Sequence, residues 1–242
     1  MKIPHERCST SKCLQVTEVK KGTLMYCHKC GYTKFTPYND SITEGIKRKR
    51  ILKAQEEARL KVTYELPADF TQPKAEGLYW LGKGRWTQAM ILKYNIGYSQ
   101  STHRVIIPLK SGYIARALEA WQKPKYIIHA KNTEYWETEG TLGTVAITED
   151  VLSAGVLHEA TGLKVFSLLG TTLKKPLFRE LIKEPKKIIV WLDNDKAGIS
   201  GSIKILSQLS LYDLDVQIIR GQEEPKNLCS KAINNIIKGL YE

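Results

Sequence analysis

Two groups of residues in this sequence have the types and spacing to do chemistry. The first is a set of carboxylates at the ends of apolar runs. Asp193 and Asp195 close the run "IIVWL", and Glu149 follows "TVAIT". If the backbone stays extended through Asn194, residues i and i+2 face the same way. Both aspartates then point into one cleft, and Glu149 joins them if its strand lies beside theirs. Close carboxylates repel one another unless cations neutralise them. Hard oxygen ligands suit Mg²⁺ or Mn²⁺, and such ions support phosphoryl transfer by holding the attacking and leaving oxygens. The bland alternative is turn chemistry, with Asp195 capping a helix that starts near Ala197 and Glu149 in a first helical turn.

The second group is sulfur. Of five cysteines, four crowd the first thirty residues as the pairs Cys8/Cys13 and Cys27/Cys30. A Cys-x-x-Cys loop aims two thiolates at one tetrahedral centre, and two pairs in a short segment read as one structural zinc site. A disulfide pair is the competing explanation. The first twenty residues are polar and carry no secretory signal, so an intracellular location with reduced thiols is expected. His5 and His28 are spare ligands, because four thiolates already fill the tetrahedron. Cys229 stands alone and reads as a small half-buried hydrophobe.

The elements that must position these groups follow from the rest of the pattern. Residues 1–40 are too few to bury a core without their metal. Here "EVKKGTLMYC" reads as a strand or hairpin with Gly22 at its turn, and Lys12, Lys20, Lys21, Lys29 and Lys34 give it a basic face. Residues 41–63 are rich in helix formers and form a basic helical linker. Its "KRKR" run suits a localisation signal, a phosphate-binding patch or a solvated helix face. Residues 64–141 hold Trp80, Trp86, Trp121 and Trp136, and a hairpin "RVIIPL"/"GYIARAL" that carries Arg104 and Arg116 on opposite arms. From 142 to 242 short apolar runs alternate with helical stretches, which predicts a parallel sheet flanked by helices. The fold class is therefore α/β: a zinc ribbon, an α+β basic subdomain and a parallel-sheet subdomain. Sites gather at the carboxyl ends of such strands, where the three acids lie.

Net charge is +12. Such an excess suits a polyanion, most often nucleic acid, although a generically basic protein would show it too. No apolar run is long enough to span a bilayer.

The segments "TVAITEDVLSAGVL", "VFSLLGTTL" and "IIVWLDNDKAG", in that order, resemble the TOPRIM domain of bacterial and phage primases, topoisomerases, some nucleases and RecR recombination proteins. The resemblance implies that Glu149 is the catalytic acid and that Asp193 and Asp195 are magnesium ligands. Upstream, "HERCSTSKC" with "YCHKCG" resembles the zinc-binding domain of phage-type primases, and "RVIIPLKSGYIARALEAWQKPKYI" the basic subdomain that precedes TOPRIM in primases. By that resemblance Arg104, Arg116, Lys125 and Tyr126 contact template and nucleotide, and Gly170 and Thr171 form the family's Gly-Thr loop.

Two departures stand out. Asp150 occupies the place where a Gly often follows the glutamate. The further acidic motif after the fourth strand reads "GQEEPKNL", where Glu223 or Glu224 would serve. The expected function is a DNA primase that joins ribonucleoside triphosphates into short RNA primers on single-stranded DNA. Its ribbon would help select the start site. No P-loop pattern occurs, so a separate replicative helicase is the expected partner, and the compact ribbon leans towards a bacteriophage source. The rivals are a RecR-like, non-catalytic DNA-binding mediator and a TOPRIM nuclease.

Overall fold

The computed structural model describes residues 2–3, 8, 13–19, 21–27, 30–38, 42–61, 64–131, 134–184, 187–212 and 214–240. His5, Lys12, Lys20, His28 and Lys29 lie outside the described residues. The chain divides into two compact units, Met1–Val62 and Thr63–Glu242.

The first unit is an antiparallel sheet followed by a helix. Strands β1 (Lys2–Ile3), β2 (Leu14–Val19), β3 (Gly22–Cys27) and β4 (Thr33–Pro37) pair in that order. The hairpin pairs Leu14 with Cys27, which brings Cys13 beside Cys27. Along β3, Gly22 and Cys27 are buried while Leu24 and Tyr26 are exposed. Between β3 and β4 the amide of Gly31 donates to the Cys27 carbonyl at 2.9 Å, and the amide of Cys27 to the Tyr32 carbonyl at 2.8 Å. Gly31 has φ of +70°, a conformation that Gly adopts at little cost. Helix α1 (Ile42–Lys61) carries the "KRKR" run, with the Arg48 guanidinium 3.7 Å from the centre of the Tyr38 ring.

The second unit holds two five-stranded sheets. In the antiparallel one, β5 (Phe70–Thr71), β6 (Gly97–Ser99), β7 (Arg104–Leu109), β8 (Gly112–Ala117) and β9 (Tyr126–His129) pair in sequence order. Helices α2 (Ala75–Lys83) and α3 (Gln88–Lys93) are inserted between β5 and β6. The second sheet contains β10 (Trp136–Glu137), β11 (Thr144–Thr148), β12 (Lys164–Ser167), β13 (Lys187–Trp191) and β14 (Asp215–Ile218), in the order β10-β12-β11-β13-β14. All its pairings are parallel except that of β10. Helices α4 (Val151–Thr161), α5 (Lys175–Leu181), α6 (Lys196–Leu209) and α7 (Ser230–Lys238) complete the unit. The alternation expected from Gly143 onwards is present. The sheet begins earlier than residue 142, however, because β10 pairs with β12. A strand of two residues carries too little alternation to be read from sequence.

Successive residues of the parallel strands serve opposite faces. Ala146, Ile189 and Trp191 pack into one apolar cluster, and Val145, Ile147, Ile188 and Val190 into the other. The first cluster also takes Trp86, Val105, Ile107 and Ile114 from the antiparallel half. Trp86 joins the two halves: its indole nitrogen donates to the Leu152 carbonyl at 3.0 Å. A Cβ at Gly155 would lie 2.5 Å from the Trp86 ring, so the helix and the ring pack without room for a side chain. Trp86→Ala should destabilise this unit by about 3–5 kcal/mol without separating its halves. A single urea transition at lower midpoint, seen identically by fluorescence and far-ultraviolet dichroism, is the expected result.

Candidate active site

The register of the parallel sheet sets the site. Thr148 of β11 lies directly opposite Trp191 of β13, so both strands end level, and Glu149, which follows at once, and Asp193, one residue further along, line the same cavity. Beyond β14, Glu224 precedes the 3-10 turn Pro225–Asn227. Carboxylate oxygens of Asp150, Asp193 and Glu224 all lie within 4.8 Å of one another. Glu149 sits beside them, with Oε2 buried and without a hydrogen-bond partner among the described residues. Its backbone is fixed: the Glu149 carbonyl accepts from the Ser167 hydroxyl at 3.1 Å and from the Gly170 amide at 3.2 Å.

The Asp-x-Asp turn is equally constrained. Asp195 caps α6, accepting from the Gly198 amide at 2.7 Å. A Cβ at Gly198 would lie 2.1 Å from the Asp193 carbonyl oxygen, so the turn closes only over a glycine. Asp195 is exposed and lines a second opening with Asp193, Glu223 and Glu224. The capping role open to Asp195 is therefore present, and its charge still acts on Glu149. Of the two glutamates proposed for the further acidic position, Glu224 enters the carboxylate cluster and Glu223 stays outside it.

Two contributors were missed. Asp150 caps α4, accepting from the Ser153 amide at 3.0 Å. It also takes a 2.6 Å ion pair from Lys226, which pairs with Glu224 as well. The sequence shows Asp150 as a charge where a Gly often stands, and an Asp just before a helical stretch is itself an N-cap signal. Lys226 gave no signal, because its partner is 76 positions away.

Electrostatics follow from this crowding. Burial, then the charges of Glu149 and Glu224, push the Asp193 carboxyl up to about 7. Burial and the neighbouring Asp195, Asp150 and Glu224 also raise Glu149. Burial alone would lower the Lys226 ammonium, but Asp150 and Glu224 outweigh it and hold it above its usual range. Three clustered carboxylates and an unpartnered buried glutamate oxygen fit a hard divalent cation.

A cavity of about 390 Å³ opens beside the acids, lined on one side by Glu149, Asp150, Asp193 and Lys226 and on the other by Trp80, Lys125 and Tyr126. Gly170 also reaches it. Thr171 instead packs against α6, with its carbonyl oxygen 2.7 Å from where a Cβ on Gly201 would lie. The Arg116 guanidinium lies 5.0 Å from the Tyr126 ring centre and 5.1 Å from that of Trp80, within cation–π range. Arg104 departs from expectation. It is 6% exposed, and its guanidinium donates to the carbonyls of Pro124 at 2.9 Å and Ala115 at 3.3 Å. The hairpin register explains why. Arg104 pairs with Ala117 and Val105 with Arg116, so the two arginines project from opposite faces. Arg116 shares the cavity face with Tyr126, its partner on β9; Arg104 ties the β8–β9 connection from behind.

In the first unit, the Cys27 sulfur lies 3.5 Å from Cys13 and 3.6 Å from Cys8, and Cys8, Cys27 and Cys30 converge within 4.8 Å. Burial and the surrounding thiols push Cys8 up to about 12. A crowded set of four thiols fits a tetrahedral soft-metal site. Lys21 and Lys34 are exposed. Cys229 is not half-buried as expected: it is exposed, at the residue that precedes α7.

Asp193 supplies a pH test. Its value rises from 3.8 in the unfolded chain to about 7 in the folded one. Its contribution to stability is thus present while it is protonated and is lost as pH rises through the folded value. Without added divalent cation, Asp193→Asn should melt higher than the parent at about pH 8 and equally at about pH 4. Parallel melting curves at both pH values would contradict this.

Residues 147–230 match the family described as Toprim-like. A DNA primase of Thermotoga maritima is 28% identical over 160 residues, covering 57% of this chain and 28% of that protein. The chain thus spans less than a third of that relative's length. Among solved structures, the zinc-binding and RNA polymerase domains of the Aquifex aeolicus primase match at TM-score 0.57 and 14% identity, over 96% of this chain and 76% of that one. A DnaG primase catalytic domain bound to single-stranded DNA matches at TM-score 0.55 and 15% identity, over 80% of each chain. The chain is Toprim-like over residues 147–230 and has the fold of the zinc-binding and RNA polymerase domains of bacterial-type primases.

Proposed function

We propose that this chain is a DNA primase, which joins ribonucleoside triphosphates on a single-stranded DNA template. One observation carries the reading. The acids Glu149, Asp150 and Asp193 stand at one wall of a cavity whose opposite wall is Trp80, Lys125 and Tyr126, and Glu224 clusters with Asp150 and Asp193. The acidic wall suits a cation-bound triphosphate. The aromatic and apolar wall suits a base and sugar, and the +12 charge suits a nucleic-acid backbone. The match to a primase domain solved with single-stranded DNA supports the same template.

In this reading Asp193 and Asp195 would hold Mg²⁺ or Mn²⁺, which would supply charge neutralisation for the triphosphate and the developing oxyanions. Glu149 accepts at Oε2 the proton of the attacking 3′-hydroxyl. The hydroxyl oxygen then bonds to the α-phosphorus of the next nucleotide, and pyrophosphate leaves. The raised affinity of Glu149 for a proton, caused by burial and its acidic neighbours, suits a base. Tyr126 and Trp80, with Arg116 between them, offer stacking surfaces. Cys8, Cys13, Cys27 and Cys30 hold one zinc, and the ribbon selects the start site. A separate helicase delivers the template.

The test is incubation with single-stranded DNA, Mg²⁺ and labelled ribonucleotides. Short ribonucleotide products are expected; degraded DNA would mean a nuclease, and no change a binding protein. Glu149→Gln should lower synthesis about 100-fold or more. Asp195→Ser keeps a side chain that caps α6 but removes the carboxylate, so it should retain the parent melting temperature while losing synthesis. Full activity in that variant would reduce Asp195 to its capping role. Metal analysis should find one zinc per chain, and none in Cys27→Ser/Cys30→Ser.

A further inference from the structure

The proposed cation site contains a cation of its own. Lys226 sits in the 3-10 turn Pro225–Asn227, with its ammonium 2.6 Å from Asp150 Oδ2 and paired also with Glu224. Those two carboxylates form the close cluster with Asp193. An ammonium and a metal ion therefore compete for the same oxygens. Lys226 is held in place on both sides: buried Pro225 anchors its turn, and Asp150 is itself fixed by the Ser153 amide and hydroxyl at 3.0 and 3.2 Å. Its side chain is only 23% exposed, so the charge stays in the centre rather than swinging into solvent. Asp193 and Asp195 are outside these ion pairs and remain for a metal, and Glu149 stays free to act as the base.

We propose that Lys226 is a resident counter-cation that occupies one cation position of the acidic centre and limits it to a single divalent ion. Asp150 serves as the lysine's anchor rather than as a metal ligand. The arrangement offsets the mutual repulsion of the acids before substrate arrives, and it fixes one of the positive charges that face a triphosphate in the cavity. This rests on reading the centre as a divalent-cation site, and the experiment separates the two ideas.

Mn²⁺ binding to the zinc-loaded full chain is titrated by electron paramagnetic resonance, with Asp193→Asn identifying ions bound at this centre. The parent should bind one such Mn²⁺. Lys226→Gln should bind two, or one about tenfold more tightly, because a like charge no longer faces the ion. Lys226→Arg keeps the charge and should bind like the parent. The lysine's role is overturned if the parent binds two ions, if Lys226→Gln matches the parent in number and affinity, or if Lys226→Arg gains an ion as Lys226→Gln does. If neither parent nor Lys226→Gln binds Mn²⁺ that Asp193→Asn removes, the cation-site reading itself falls, and the lysine's role with it.

Discussion

Repulsion among carboxylates is the constraint around which the second unit is built. Glu149, Asp150, Asp193 and Asp195 come together because β11 and β13 are neighbours that end level, and the turn after β14 adds Glu224. Leaving those charges unopposed in a half-buried cleft is costly. Two of the five also serve as helix caps, Asp150 on α4 and Asp195 on α6. The positive ends of two helix dipoles therefore converge on the acids. The same backbone that creates the problem thus supplies part of the offset, and Lys226 supplies more.

The parallel sheet was legible because its strands are apolar runs punctuated by helix formers, and its site was legible because acids at strand ends contrast with the runs before them. The antiparallel half was read as a hairpin but not in detail. The two-residue turn at Lys110–Ser111 fixes the register, and period-two geometry then sends Arg104 and Arg116 to opposite faces. The resemblance grouped them as one functional pair. Lys226 is beyond the reach of the sequence for a different reason: its ion pair with Asp150 spans 76 positions and leaves no local pattern. Glu224 could be narrowed from Glu223 only when the turn that follows β14 was in view.

The two clusters proposed to hold metals share a physical habit. Burial and neighbours favour the protonated Cys8 thiol and the protonated Asp193 carboxyl. Filling either cluster with a cation therefore releases protons, and cation affinity weakens as pH falls. The clusters differ in chemistry: sulfur donors suit a soft tetrahedral ion, whereas oxygen donors suit a hard one.

The apolar cluster around Trp86 takes its last members, Ile233 and Ile237, from α7. A ribosome delivers the antiparallel half long before that helix. During synthesis Trp86, Ile91 and Ile107 must wait for α4 and then α7 to cover them, with every residue from Val151 to Lys238 still to be translated or folded. The nascent chain therefore presents a sticky aromatic surface for much of its elongation. Expression yield should be governed by temperature and chaperone supply more than by the stability of the finished protein.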